Sequence, residues 1–366
     1  MKSTENSTLI YPNTLLIAIY APYNLSNDIE SYYEEFINLV KSKGIIYKDV
    51  IFMKLRSIDP GFFITEGKLN ELIKICKEQE IEEIIISEPL TPQQEKSLSQ
   101  ILHCKVFDRT QLILEIFEEN ATSAEGKVQV ELAMLQHQKS RLSGRGISMS
   151  QQGGRIGTKG PGETAKERAI QYIERRSLKI KRDLKNLEKQ REIQRKQRLT
   201  SNVKQISLVG YTNAGKSTIL NLLTHSNVLT QDKLFATLDT TTRELYIKNS
   251  KIGVISDTVG FIQLLPHNLI EAFKSTLSEL FYSDLLLHVI DLSNKNWQSH
   301  INVVLQVLQE INVDKPMLYV FNKIDKIENI ERYLELISKY QPHVLVNSLS
   351  KDSIKELIDY IYNWAK

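Results

Sequence analysis

The sequence predicts an α/β protein in three parts: a small N-terminal α/β domain over 1–120, a basic antiparallel helical hairpin over 121–200 with a glycine-rich loop at 143–163, and a second α/β domain over 201–366. Three observations predict it. Apolar strands alternate with amphipathic helical stretches at the start of the chain. Two helical stripes then flank a stretch rich in glycine and arginine. Finally, an apolar run leads into G-x-x-x-x-G-K-S, the pattern of a phosphate-binding loop between a strand and a helix.

In the first part, Thr14 to Ala21, Asp49 to Leu55, Glu83 to Ser87 and Lys105 to Asp108 read as strands. Between them, Asp28 to Ser42, Glu66 to Lys77 and Pro92 to Leu102 carry apolar residues at helical spacing, such as Leu69, Leu72, Ile73 and Cys76. No phosphate loop or metal-ligand cluster is evident here, which leaves binding or positioning as its expected role.

From about Glu125 the pattern changes. Val128, Leu132, Leu135 and Leu142 form one helical stripe. Ser143 to Gly162 holds seven glycines and a proline, which argues against helix. Thr164 to Arg198 is helical again, with Ile170, Ile173, Ser177, Ile180, Leu184 and Leu187 at heptad spacing. Two striped helices joined by a loop should pack antiparallel, and the second could extend for ~50 Å at 1.5 Å per residue. Arg145, Arg155 and Lys159 sit in the loop; Lys179, Lys181, Arg182 and Lys185 lie along the helix. Charged helix faces are commonly just solvated surface. A floppy linker, however, would be rich in serine rather than arginine, and arginine pairs with phosphate and stacks on bases. RNA is the expected partner.

In the third part, Ile206 to Val209 should be a buried strand and Thr218 to Thr224 the helix after the loop. The loop residues Gly210, Tyr211, Thr212, Asn213, Ala214, Gly215, Lys216 and Ser217 would turn backbone N–H groups toward an anion. Lys216 would reach the β- and γ-phosphates, and the Ser217 hydroxyl would hold Mg²⁺. Phe235, Ala236, Thr237, Leu238 and Asp239 follow a polar stretch, and Thr237 could meet Mg²⁺ and the γ-phosphate. Asp257, Thr258, Val259 and Gly260 end another apolar strand; the Gly260 N–H could touch the γ-phosphate. Strands at Leu285 to Leu292 and Met317 to Phe321 precede Asn322, Lys323, Ile324 and Asp325. A carboxylate at Asp325 would accept from guanine N1–H and N2–H₂, which adenine cannot match. Ser348, Leu349 and Ser350 fall where a last base-contacting loop belongs. GTP and GDP are therefore the expected ligands, with Mg²⁺ as cofactor and Lys216, Thr237 and Gly260 as the groups nearest the reacting phosphate. Phe261 stands where a water-orienting glutamine is often found, so slow hydrolysis is expected without a partner.

Bulk composition narrows the class. The net charge is only +3, yet residues 139–198 hold 18 Lys/Arg against 6 Asp/Glu, leaving the remainder acidic. A segregated basic segment points to a polyanion. Two cysteines do not make a disulfide framework. The N-terminus lacks a signal-peptide core, and no apolar run approaches the ~18 residues of a membrane span. A cytoplasmic monomer without a membrane span is expected.

The ordered motifs G-x-x-x-x-G-K-S, F-A-T-L-D, D-T-V-G-F and N-K-I-D resemble those of translation-factor-class GTPases with a Ras-like domain. Gly153 to Thr164, Glu125 to Leu132 and Pro266 to Leu269 are similar to hallmarks of the HflX family. The resemblance implies a GTPase that binds the large ribosomal subunit and its rRNA, directs the glycine-rich tip toward the peptidyl-transferase region, and splits or rescues stalled ribosomes. It places Mg²⁺ on Ser217 and Thr237. Thr164-Ala165-Lys166-Glu167, Thr240 and Leu349 depart from the usual family pattern. A different reading is an RNA-binding ribosome-assembly factor whose nucleotide state only gates docking.

Overall fold

The structure is a computed structural model; it describes residues 12–24, 29–144, 161–200, 203–224, 234–235, 238, 241–248, 250–263 and 274–366. By contacts the chain forms two compact units, 1–115 with 137–173 and 116–136 with 174–366.

The first unit contains a four-stranded parallel sheet in the order β2-β1-β3-β4, formed by β1 (Thr14–Tyr20), β2 (Asp49–Lys54), β3 (Glu83–Ile86) and β4 (Lys105–Phe107). Leu15 through Ile19 of β1 are fully buried, as a central parallel strand covered on both faces must be. Helices α1 (Ile29–Lys43), α2 (Glu66–Glu78) and α3 (Pro92–Leu102) connect the strands. A capping box starts α3: Thr91 accepts from the Gln94 N–H, the Gln94 side chain accepts from the Thr91 N–H, and Pro92 occupies the first turn, where no N–H is needed.

Helix α4 (Arg109–Asn120) follows β4 and was not foreseen. Its Leu112, Ile113, Leu114, Ile116 and Phe117 are all buried, while Gln111, Glu115, Glu118 and Glu119 lie toward its outer side at helical spacing. Helices α5 (Ala124–Gly144) and α6 (Pro161–Thr200) overrun the expected loop at both ends. Pro161 opens α6 because a first-turn position tolerates a missing N–H. The remainder of the glycine-rich tip, with Arg145, Arg155 and Lys159, lies outside the described residues. Along α6 the heptad positions hold: Ile173 and Ile180 are buried, Ile170, Ser177, Leu184 and Leu187 half-buried, while Lys179, Lys181, Arg182 and Lys185 are exposed.

The second unit contains a six-stranded sheet, β10-β9-β8-β5-β7-β6, in which only the edge strand β6 is antiparallel. Its strands are β5 (Lys204–Gly210), β6 (Thr241–Ile247), β7 (Ser250–Asp257), β8 (Leu285–Asp291), β9 (Met317–Asn322) and β10 (His343–Leu345). Helices α7 (Lys216–Thr224), α8 (Lys274–Tyr282), α9 (Trp297–Glu310), α10 (Glu331–Ile337) and α11 (Lys355–Ala365) join or flank them. From β5 the chain moves to one side through β6 and β7, and from β8 to the other. The order therefore reverses between β5 and β8, and a crevice opens beyond their carboxyl ends, where such sheets bind ligands.

Candidate nucleotide site

The phosphate-binding loop leaves β5 at that crevice. Gly210 pairs in register with Val289 of β8, and α7 begins at Lys216. Gly215 has φ +97°, and a Cβ there would lie 2.3 Å from Asn322 Nδ2. Only glycine allows this approach. The space it leaves is used: Asn322 Nδ2 donates to the Ala214 carbonyl at 2.9 Å and to Ser348 Oγ at 3.2 Å. Thus N-K-I-D, the serine loop and the phosphate-binding loop, remote in sequence, are fastened to one another through one buried amide.

Lys323, with φ 61°, adds a second fastening. Its Nζ donates to the Asn213 carbonyl at 2.8 Å and to Asp291 Oδ2 at 2.7 Å. Asp291 ends β8 and was missed in the sequence; an acidic residue at a strand end has no motif of its own. Asp325 is exposed, and Ile324 packs at the edge of the core formed by Ile290, Trp297 and Phe321. Leu349 is 75% exposed beside Ser348 and Ser350.

Two of the three candidate catalytic groups, Lys216 and Gly260, meet on the loop's inner side. Lys216 is buried, and its Nζ donates to the carbonyls of Gly210 at 3.2 Å and Tyr211 at 2.8 Å. Burial depresses the ammonium pKa to about 8, opposed by the nearby Asp257 carboxylate. Gly260 backs directly onto this group: a Cβ would stand 2.8 Å from Thr212 Cα and 3.0 Å from Lys216 Nζ. Asp257 is fully buried and accepts from Ser217 Oγ at 2.5 Å and from the Thr258 N–H at 2.9 Å. Thr258 Oγ1 donates to the Leu208 carbonyl at 2.7 Å, and Val259 is buried. A hydroxyl and a carboxylate this close are the hard oxygen donors Mg²⁺ takes.

The segment after Gly260 continues as a strand-like bridge. The Phe261 N–H donates to Gly210 and the Thr212 N–H to Phe261. The Phe261 ring turns into the core with Val209, Leu277 and Leu280. Tyr211 lies flat on His300 of α9, ring centroids 3.7 Å apart and planes 3° from parallel, and its hydroxyl accepts from the Gln263 N–H at 2.9 Å. Burial lowers the His300 imidazole pKa to about 4. The part played by His300 had no signal in the sequence.

Phe235 is buried with φ 58°, and Leu238 is buried as well. Ala236, Thr237 and Asp239 lie outside the described residues, so Thr237 is not placed beside Ser217.

Family models match this chain in three consecutive segments: "GTP-binding GTPase N-terminal" over residues 30–118, "GTP-binding GTPase Middle Region" over 120–198 and "50S ribosome-binding GTPase" over 205–323. GTPase HflX of Caldanaerobacter subterraneus subsp. tengcongensis is 39% identical over 96% of this chain and 83% of its own length. GTPase HflX of Escherichia coli (strain K12) is 41% identical over 90% of this chain and 77% of its own. Among solved structures, the SsGBP complex with GDP is similar at TM-score 0.52 and 28% identity, covering 96% of this chain and 98% of that one. With a phosphate-binding loop, a D-T-V-G segment and an N-K-I-D loop assembled on one sheet edge, and with these relatives spanning most of its length, this chain belongs to the HflX family and is a GTPase.

Proposed function

We propose that this GTPase works on the large ribosomal subunit. It binds rRNA through the basic helical pair at 121–200 and its glycine-rich tip, and it splits or rescues stalled ribosomes; the flanking parts, 1–120 and 201–366, position that arm and hold GTP. One observation carries the ribosomal half: the exposed cations Lys179, Lys181, Arg182 and Lys185 line a long helix of an otherwise acidic protein, in a chain with a segment matching ribosome-binding GTPases.

Within the nucleotide site, Asp325 selects guanine, and Lys323 and Asn322 hold its loop in place. Lys216 is already dehydrated, so its charge acts on a phosphate with little screening. Ser217 and Thr237 would hold Mg²⁺, which would supply positive charge to neutralise the phosphates. The Gly260 N–H meets a γ-phosphate oxygen. Phe261, turned into the core, offers the attacking water no hydrogen bond. Hydrolysis is therefore slow until a partner orders the site, and the change from GTP to GDP releases the docked protein.

Turnover with and without purified large subunits, alongside sucrose gradients of assembled ribosomes, tests this. We expect faster hydrolysis with subunits and conversion of assembled ribosomes to subunits in GTP. Equal turnover, or accumulation only on precursor particles, would replace this reading with that of an assembly factor.

A further inference from the structure

The bridge between the phosphate-binding loop and the residues after Gly260 is held by two backbone bonds and one side chain. The Phe261 N–H donates to the Gly210 carbonyl at 3.2 Å, and the Thr212 N–H donates to the Phe261 carbonyl at 2.8 Å. The side chain is Tyr211, whose hydroxyl accepts from the Gln263 N–H at 2.9 Å. Its carbonyl accepts from Lys216 Nζ at 2.8 Å, so one residue ties both the lysine and the stretch after Gly260. The Tyr211 ring lies flat on His300, centroids 3.7 Å apart. His300 is itself fixed in the first turn of α9, close in sequence to the buried Trp297 and Ile301, and its backbone N–H donates to the Asn296 carbonyl at 3.0 Å. Tyr211, Phe261, Ile262, Gln263 and His300 are all buried, and all belong to one compact unit. Gly260 immediately precedes the pinned stretch, and a Cβ on it would stand 3.0 Å from Lys216 Nζ.

We propose that Tyr211, through its hydroxyl, and His300, through its ring, are positioning residues for GTP hydrolysis: together they pin Phe261 to Gln263 onto the phosphate-binding loop and so hold Gly260 where its N–H meets the γ-phosphate. This rests on the contact given to Gly260 above. The physical reason is entropic. A free stretch of chain must be ordered whenever it takes up a ligand, and that ordering lowers affinity. Here the stretch is ordered in advance. Only GTP carries a γ-phosphate, so only GTP gains from it. A merely structural link would weaken GTP and GDP alike. His300 contributes a surface rather than a proton: burial lowers its imidazole pKa to about 4, so the ring is neutral at neutral pH. A flat aromatic partner confines the tyrosine ring, and with it the place of the hydroxyl.

Tyr211→Phe in the full chain is the sharp test, since it keeps the stacked ring and the backbone bonds and removes only the acceptor for Gln263. His300→Ala removes the stacking surface, and His300→Phe restores it. We expect kcat for GTP to fall about tenfold in Tyr211→Phe and in His300→Ala, and to stay within about twofold of the parent in His300→Phe. Affinity for a fluorescent non-hydrolysable GTP analogue should fall about tenfold in the first two. Affinity for fluorescent GDP should stay within about twofold, which also shows that the variants are folded. Unchanged or raised kcat in Tyr211→Phe, equal weakening of analogue and GDP, or a His300→Phe as slow as His300→Ala would overturn the proposal. Gly260→Ala separates the two ideas. If it lowers the ratio of analogue to GDP affinity while Tyr211→Phe behaves as the parent, the positioning role falls and Gly260 keeps its contact. If Gly260→Ala keeps the parent's ratio, the contact given to Gly260 falls, and the positioning role falls with it.

Discussion

Gly215 shows how much of the nucleotide site depends on the absence of one carbon. Its backbone lies at φ +97°, and a methyl group there would sit 2.3 Å from the Asn322 amide that fastens three loops. In Gly215→Ala, either the backbone leaves this conformation or Asn322 gives up its bonds to Ala214 and Ser348. We expect GDP affinity to fall at least about fivefold where one of these costs applies and about thirtyfold or more where both do, given ~1–2 kcal/mol of backbone strain and ~1–3 kcal/mol for a buried amide left unpaired. Titration with fluorescent GDP reads this directly, and binding within threefold of the parent would show that the contact does not govern the loop. His300 supports a pH prediction. Its folded pKa is depressed to about 4, below the ordinary value of 6.5, so the unfolded chain binds the proton more tightly. Its contribution is therefore present above about pH 6.5 and lost progressively as pH falls toward 4. At pH 5 the loss is on the order of 2 kcal/mol. His300→Phe keeps a ring against Tyr211 and removes the proton, so melting temperature should decline less between pH 7 and 5 than in the parent. Parallel declines would mean that other groups set the slope.

Among the elements, what was legible depended on how many turns of a segment show two unlike faces. Helix α6 shows them over many turns: its heptad positions are the covered ones and Lys179, Lys181, Arg182 and Lys185 are exposed, as the spacing requires. The strands around both sheets were also legible, because a short apolar run with a polar boundary has few alternatives. Helix α4 was not. Its polar stripe, Gln111, Glu115, Glu118 and Glu119, is present, but its apolar centre L-I-L-E-I-F is a short run that periodicity alone does not separate from a strand. The nucleotide loops were legible because their chemistry needs particular residues at fixed spacing. Asp291 and His300 were not, since each acts through a partner far away in the chain. Burial, also invisible in sequence, decides what two similar ion pairs contribute. Arg176 of α6 forks onto Glu131 of α5 at 2.6 and 2.9 Å, but the two side chains are 39% and 37% exposed. Arg141 of α5 is 11% exposed and reaches Asp108, Glu95 and the Leu90 carbonyl, with Asp108 only 1% exposed. We expect Arg176→Met to cost less than ~1 kcal/mol and Arg141→Met about 2–4 kcal/mol. Urea unfolding of both variants checks the order; equal costs would show that exposure is not what separates them.

For the whole molecule, the segregation of charge has a measurable consequence. A protein that is nearly neutral overall should have little salt-dependent affinity for a polyanion unless its cations are gathered on one surface. Lys179, Lys181, Arg182 and Lys185 are gathered and exposed, and residues outside 139–198 are net acidic. If these cations contact rRNA phosphates, each displaces condensed counterions, and affinity should fall steeply with salt at a slope of roughly 0.7–0.9 per contact. Replacing all four with glutamine should reduce the slope of log K against log salt by about three and weaken binding most at low salt. Because all four are exposed, their loss should change folding stability little, within about 0.5 kcal/mol per site. Binding of the parent and the fourfold variant to purified large subunits, measured by pelleting between about 50 and 200 mM salt, distinguishes the cases. A shallower slope in the variant places the phosphate backbone against this helix. The same slope in both would mean that α6 is only a solvated spacer and that attachment comes from another surface.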